Sequence, residues 1–185
     1  MPEEVRRHSL DELALEAKTD KASNGHAYTA VYEPLFEPFR DLPVRILEIG
    51  VLHGASLALW RDYFPLAEVF GMDCDPEVAN LSLFDQPRLN CVLGNQSSIE
   101  DLASVAAFGP FDLIIDDAGH LGDQQLASFR HLFPQAMSPG GLYAIEDLHF
   151  SSALKPDNPE LLEAAREGEI VFANQKLFIV RAPNG

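Results

Sequence analysis

The sequence predicts an α/β protein built on a seven-stranded mixed sheet: five parallel strands, a C-terminal antiparallel hairpin, helices on both faces and a short helical cap at the N-terminus. Three observations carry this. From Val44 onward, short apolar runs alternate with helix-like segments, the pattern of a parallel sheet covered on both faces. Two of the runs end in paired acids, Ile-Ile-Asp116-Asp117 and Ala-Ile-Glu146-Asp147, as buried strands do when they deliver side chains at their C-terminal edge. The last two runs flank Asn174-Gln175 at hairpin spacing.

The elements follow in order. Ser9-Leu-Asp-Glu12 has capping-box spacing and opens a helix to Lys18. A polar break, Thr19 to His26, separates it from a helical stretch over Tyr28 to Arg40 that Pro34 and Pro38 interrupt or kink. Strands are expected at Val44–Ile49, Glu68–Met72, Leu89–Leu93, Phe111–Ile115 and Leu142–Ile145. The helices between them cover Ser56 to Phe64, a short segment after Pro76, a segment capped by Ser97 with Glu100 three residues on, and Asp123 to Met137. Asn158-Pro159 caps a helix to about Glu167, and Glu169–Ala173 and Lys176–Val180 form the hairpin. Residues 1–43 are expected to form the cap and 44–185 the core of one compact domain.

The 185 residues suit a single core, and 46% hydrophobic with 23% charged residues is ordinary for a folded chain. A formal charge of −16, from 29 acids against 13 bases, disfavours partners recognised through their phosphates, so neither nucleic acid nor an anionic membrane is expected. No apolar run reaches the roughly 20 residues of a membrane span, and Met-Pro-Glu-Glu-Val-Arg-Arg is charged, unlike a signal segment. A cytoplasmic location is expected. Cys74 and Cys91 lie in or beside strands and are expected to be reduced core residues.

If the two acid-ended strands are neighbours, their ends lie roughly 5 Å apart. Asp117, Glu146 and Asp147 then crowd together, and such acids repel one another unless a cation or proton sits between them. Oxygen-only ligands favour a hard divalent ion such as Mg²⁺, and His120, one short loop beyond Asp117, is placed to act as a base beside it. The alternative is that one or both of Asp116 and Asp117 cap the following turn, and that Glu146 and Asp147 are helix-capping acids. Asp116 is better suited to contact a cofactor or orient the loop than to bind metal. His149 is the competing base, and His53 either touches ligand or faces solvent.

Glu48-Ile-Gly50-Val-Leu-His-Gly54-Ala-Ser56 occupies the first strand-to-helix turn, where an open α/β sheet binds its ligand. Glycines there let the ligand approach the backbone. An acid just before the loop suits a cationic, phosphate-free cofactor better than a pyrophosphate, and Asp73, ending the second strand, is positioned to accept from a ribose diol.

Thr19-Asp20-Lys21, His26-x-Tyr28, Tyr32-Glu33, Leu47-Glu48-Ile-Gly50-Val, Trp60, Gly71-x-Asp73, Ile115-Asp116-Asp117-x-x-His120 and Ile145-Glu146-Asp147-Leu together resemble the Mg²⁺-dependent sugar O-methyltransferases of the macrolide-sugar and methylmannose-polysaccharide type. These have the Rossmann-like class I S-adenosylmethionine methyltransferase fold. The likeness runs from about Lys18 to Leu148. It implies that Glu48, Gly50 and Gly54 line the methionine end of S-adenosylmethionine, that Asp73 holds the ribose, and that Asn95 and Gln96 face the adenine, with Asp116 on the cofactor side. Asn95 stands where relatives carry an acid, and Ala55 where they often carry glycine. It also implies metal ligands at Asp117, Glu146 and Asp147, with His120 as catalytic base.

The expected reaction moves the donor's methyl to a hydroxyl of a small-molecule or oligosaccharide acceptor. A metal-dependent hydrolase or hydroxylase on a similar sheet and a noncatalytic S-adenosylmethionine-binding protein are the alternatives. Lys21, His26, Tyr28 and Tyr32 either close over cofactor and substrate or simply pack. The short cap leaves a site that is open or completed by another subunit, which is compatible with a homodimer.

Overall fold

The computed structural model describes residues 7–151 and 154–185; the charged stretch 1–6, read above as unlike a signal segment, lies outside the described residues. Its strands are β1 (Arg45–Ile49), β2 (Glu68–Asp73), β3 (Leu89–Leu93), β4 (Phe111–Asp116), β5 (Met137–Ile145), β6 (Glu169–Ala173) and β7 (Phe178–Arg181). They form one sheet in the order β3-β2-β1-β4-β5-β7-β6. The first five are parallel, and β7 pairs antiparallel with both β5 and β6. The seven-stranded mixed sheet read from the sequence is therefore present. The chain reverses direction across the sheet at β1, between β2 and β4, and this is where open α/β sheets form their ligand crevice.

Period-two alternation divides the core. Ile46, Val69, Leu113, Ile115, Leu142, Ala144 and Ile179 pack on one face with residues of α1 (Leu10–Ala17), α2 (Thr29–Phe36) and α3 (Ala55–Tyr63). Leu47, Ile49, Phe70, Met72, Ile114, Tyr143, Ile145 and Val180 pack on the other, against α4 (Ile99–Ala106), α5 (Gly122–Ala136) and α6 (Pro159–Ala164). Trp60, Tyr32 and Phe36 form an aromatic knot that joins α2 to α3, with Tyr32 and Phe36 stacked at 4.6 Å. No described helix is long and apolar enough to cross a membrane.

Several boundaries differ from the sequence reading. Pro34 sits inside α2, which then tightens into a 3-10 turn over Glu37–Phe39. The cap of α4 is Ser98, accepting from the Asp101 amide, one residue beyond the expected Ser97. β5 begins at Met137, directly after α5, and takes in Pro139-Gly140-Gly141; a bulge opposite Phe111 and Leu113 absorbs the extra residues, and Gly140 supplies the positive φ. α6 stops at Ala164, short of Glu167. Cys91 is only partly buried and Cys74 is exposed, because β2 ends at Asp73 and leaves Cys74 on the crevice wall.

The capping box that opens α1 is complete: Ser9 Oγ accepts from the Glu12 amide at 3.2 Å, and the Ser9 amide donates to Glu12 Oε2 at 2.9 Å. Replacing Ser9 with Ala is expected to cost about 1 kcal/mol, read as a lower urea midpoint at unchanged slope.

Candidate active site at the carboxyl ends of the strands

β1, β4 and β5 end side by side, with Ile49 opposite Asp116 and Asp116 opposite Ile145. The ladder continues one residue further, since the Asp117 amide donates to Ile49 O and the Glu146 amide to Asp116 O, each at 2.9 Å. Alternation then decides which acids meet. Glu48, Asp117 and Glu146 share the parity of Ile46, Ile115 and Ala144, so all three turn toward the face that α1, α2 and α3 cover. Asp116 has the opposite parity. It is fully buried against α5, where Ser128 Oγ donates to it and Gln96 Nε2 lies at 3.4 Å.

The cation among the three acids is Lys21. Its side chain is fully buried, and Nζ bonds to Asp117 Oδ2, lies 2.8 Å from Glu146 Oε2 and 3.4 Å from Glu48 Oε1. Other donors complete the shell: Tyr32 Oη to Glu146 Oε1 at 2.6 Å, and Trp60 Nε1 to Glu48 Oε2 at 3.1 Å. Asp147 would point to the other face by parity, but its φ of 58° turns it back. There it accepts from Tyr28 Oη at 2.6 Å, with His26 Nδ1 3.0 Å and His149 Nδ1 3.6 Å from Oδ1 and His120 Nε2 3.6 Å from Oδ2. Lys18, Leu52 and His120 are also left-handed, so four non-glycine residues around the site hold sparsely populated backbone.

A cavity of about 660 Å³ opens over these strand ends. Asp73, Asn95 and Gln96 line it on the β2 and β3 side, and Asp117, His120 and Asp147 on the β4 and β5 side, with Gly50 between. Asp73 fixes the intervening loop, because Oδ2 accepts from the Val51 amide at 2.8 Å and Oδ1 from the Asp75 amide at 3.0 Å. Gly50, at φ 96°, admits no side chain: a Cβ would fall 2.3 Å from Asp117 O. Asp117, His120 and Asp147 each offer a ligand atom within 4.8 Å of the others, a span that one metal ion bridges.

No protein-family model matches the chain. Individual proteins do. The 8-demethyl-8-alpha-L-rhamnosyl tetracenomycin-C 2'-O-methyltransferase of Streptomyces olivaceus is 42% identical over 149 residues, covering 75% of this chain. Mycinamicin VI 2''-O-methyltransferase of Micromonospora griseorubida is 36% identical over 151 residues, covering 77%. The solved structure of MycE methyltransferase from the mycinamycin biosynthetic pathway, in complex with Mg, SAH and mycinamycin VI, matches with a TM-score of 0.82 at 30% identity, over 97% of this chain and 56% of that one. The chain has the class I methyltransferase fold and is a homologue of sugar O-methyltransferases. It spans 37% of the length of the two curated relatives.

The structure sorts the residues expected in this homologue's site. Gly50, Asp73, Asn95, Gln96, Asp117, His120 and Asp147 line the cavity; Glu48, Gly54, Asp116 and Glu146 lie behind its wall. Gly54 instead caps α3 at φ 77° and leaves room for Leu83. Lys21, Tyr28 and Tyr32, which the sequence left between contact and packing, hold the acids by hydrogen bond or ion pair, and His26, left open in the same way, brings Nδ1 to 3.0 Å from Asp147 Oδ1. An acid excess at the strand ends was the available signal for Lys21. The Thr19-Asp20-Lys21 motif singled out this lysine, but nothing in it named the acids as its partners.

One ammonium cannot neutralise three acids. Burial opposes the Lys21 charge, yet Glu146, Asp117 and Glu48 together outweigh it and hold the ammonium well above its ordinary range. Burial pushes Glu48 up to about 7, with Lys21 opposing and Asp117 adding. Asp116 is pushed up to about 6, again by burial, against the Ser128 and Ala118 bonds. Tyr28 and Tyr32 are raised by burial and by the carboxylates they serve.

Two outcomes follow. Lys21→Met, which leaves the acids without their cation, is expected to cost roughly 3–5 kcal/mol of stability at pH 8 by urea denaturation. A raised carboxyl binds its proton more tightly when folded, so the Glu48 contribution is complete below its ordinary 4.5 and disappears as pH rises through about 7. Stability should therefore fall between pH 5 and 8, and Glu48→Gln should flatten that decline.

Proposed function

We propose that this chain is an S-adenosylmethionine-dependent O-methyltransferase, assisted by Mg²⁺, that acts on a hydroxyl of a sugar carried by a small glycosylated metabolite. The observation that carries this reading is the single cavity with Asp73, Asn95 and Gln96 on one side and Asp117, His120 and Asp147 on the other. The names of the relatives, rhamnosyl tetracenomycin and mycinamicin O-methyltransferases, support the acceptor class. The Mg and SAH bound by MycE support the cofactors.

In this reading Asp73 accepts from the ribose hydroxyls through lone pairs its backbone bonds leave free, and Asn95 and Gln96 face the adenine. Gly50 keeps the loop backbone open to the donor. Asp117 and Asp147, with Glu146 beside them, hold the divalent ion; Glu146 Oε1 and Oε2 each accept one hydrogen bond and retain a lone pair. The carboxylate oxygens suit a hard cation, and Lys21 already marks the place as one where positive charge is stable. When bound, the sulfonium supplies an activated methyl group and the divalent ion lowers the acceptor hydroxyl's pKa. His120 receives the hydroxyl proton at Nε2 as the new C–O bond forms and the C–S bond breaks, its electron pair staying on sulfur. Asp147, 3.6 Å from that nitrogen, stabilises the resulting imidazolium.

Labelled methyl transfer to a rhamnosylated polyketide tests this. A chelator should abolish turnover and added Mg²⁺ restore it. His120→Ala should lower kcat by roughly 10²–10⁴, with affinity for S-adenosylhomocysteine unchanged. Retained turnover in that variant would move the base to His149, and turnover indifferent to chelator would exclude the metal from the reaction.

A further inference from the structure

We propose that Lys18 and Asp20 form the subsite for the zwitterionic amino-acid tail of the methyl donor, Asp20 facing its α-ammonium and Lys18 its α-carboxylate. This rests on the donor reading above and reassigns the acid that meets the tail.

Glu48, the acid of the glycine loop, does not reach the cavity. It is fully buried, with one oxygen on Trp60 Nε1 and the other toward Lys21 Nζ. The acids that do line the cavity are Asp20, Asp73, Asp117 and Asp147. Three of them are engaged: Asp73 by the Val51, Leu52 and Asp75 amides, Asp117 by Lys21, and Asp147 by the Tyr28 hydroxyl. Asp20 is exposed, and the contact recorded for its carboxylate is the Thr19 hydroxyl at 3.5 Å. Lys18, two residues away on the same wall, is exposed and makes no ion pair among the described residues. An unpaired base and an unpaired acid on one short stretch match a group carrying both charges.

Their position suits the tail. Lys21, one residue past Asp20, reaches Glu48 near the end of β1 and Asp117 just past β4, so residues 18–20 sit beside those ends. A donor whose ribose lies at Asp73 on β2 extends its sulfur end in that direction. The stretch is also held before any ligand arrives: the Thr19 amide donates to Ala14 O at 3.2 Å, the Lys21 amide to Thr19 Oγ1 at 3.4 Å, and the His26 amide to Asp20 O at 2.6 Å. Little ordering is then left to oppose binding.

Calorimetry on the whole chain, without metal, tests the subsite with two ligands. S-Adenosylhomocysteine carries the tail, and 5'-methylthioadenosine keeps the nucleoside and thioether but lacks it. Asp20→Asn and Lys18→Gln should each weaken S-adenosylhomocysteine about tenfold and leave 5'-methylthioadenosine within about twofold, as expected for loss of one charged contact. Both positions are exposed, and unchanged circular dichroism should accompany the effect. Variants that bind S-adenosylhomocysteine like wild type, or that lose both ligands equally, would overturn the proposal. Wild-type protein that binds neither ligand would overturn the donor reading, and the subsite with it.

Discussion

Three carboxylates on the carboxyl ends of neighbouring strands, closed around one buried ammonium, set the terms for the rest of this structure. Parallel pairing and side-chain alternation force Glu48, Asp117 and Glu146 onto the same face, where the helical cover buries Glu48 and Glu146 and leaves Asp117 at the edge of the cavity. Uncompensated, that arrangement would oppose folding. Lys21 arrives from the polar break after α1, so the attachment of the N-terminal helices to the sheet is electrostatic as well as apolar. Tyr28 and Tyr32 reinforce it by donating to the next acid pair.

The same interaction leaves the site short of positive charge. With one cation against Glu48, Asp117, Glu146 and Asp147, burial holds the Glu48 carboxyl up to about 7, and the open side of the cluster still favours a further cation. Left-handed backbone at His120 and Asp147 re-aims both side chains into that side, against their strand or turn preference. Backbone strain at these positions is balanced by the packed elements behind them. The chemistry proposed for this homologue of sugar O-methyltransferases uses a place where the fold already concentrates negative charge beside an open cavity.

Much of this was legible in the sequence. The apolar runs placed the ends of β1, β4 and β5 to within a residue, because a strand buried on both faces has few ways to vary. Parity also separates Asp116 from Asp117, one facing α5 and the other Lys21. The partner of the acids was not legible: Lys21 lies 96 residues from Asp117 and 125 from Glu146, and no local pattern encodes a contact at that separation. The early start of β5 was hidden by Pro139-Gly140-Gly141, which reads as a turn and is instead taken up by a bulge. Glu48 read as a cofactor contact because it adjoins the glycine loop, yet its place within the strand buries it behind Gly50.

The central claim is that the acids at these strand ends hold a divalent ion beside the donor pocket. Calorimetric titration of Mg²⁺ into protein saturated with S-adenosylhomocysteine, for wild type and Asp117→Asn, measures it most directly. Saturable binding in wild type, weakened at least about tenfold in Asp117→Asn, is the expected result. Absence of Mg²⁺ binding in wild type, or equal affinity in the two proteins, would contradict it.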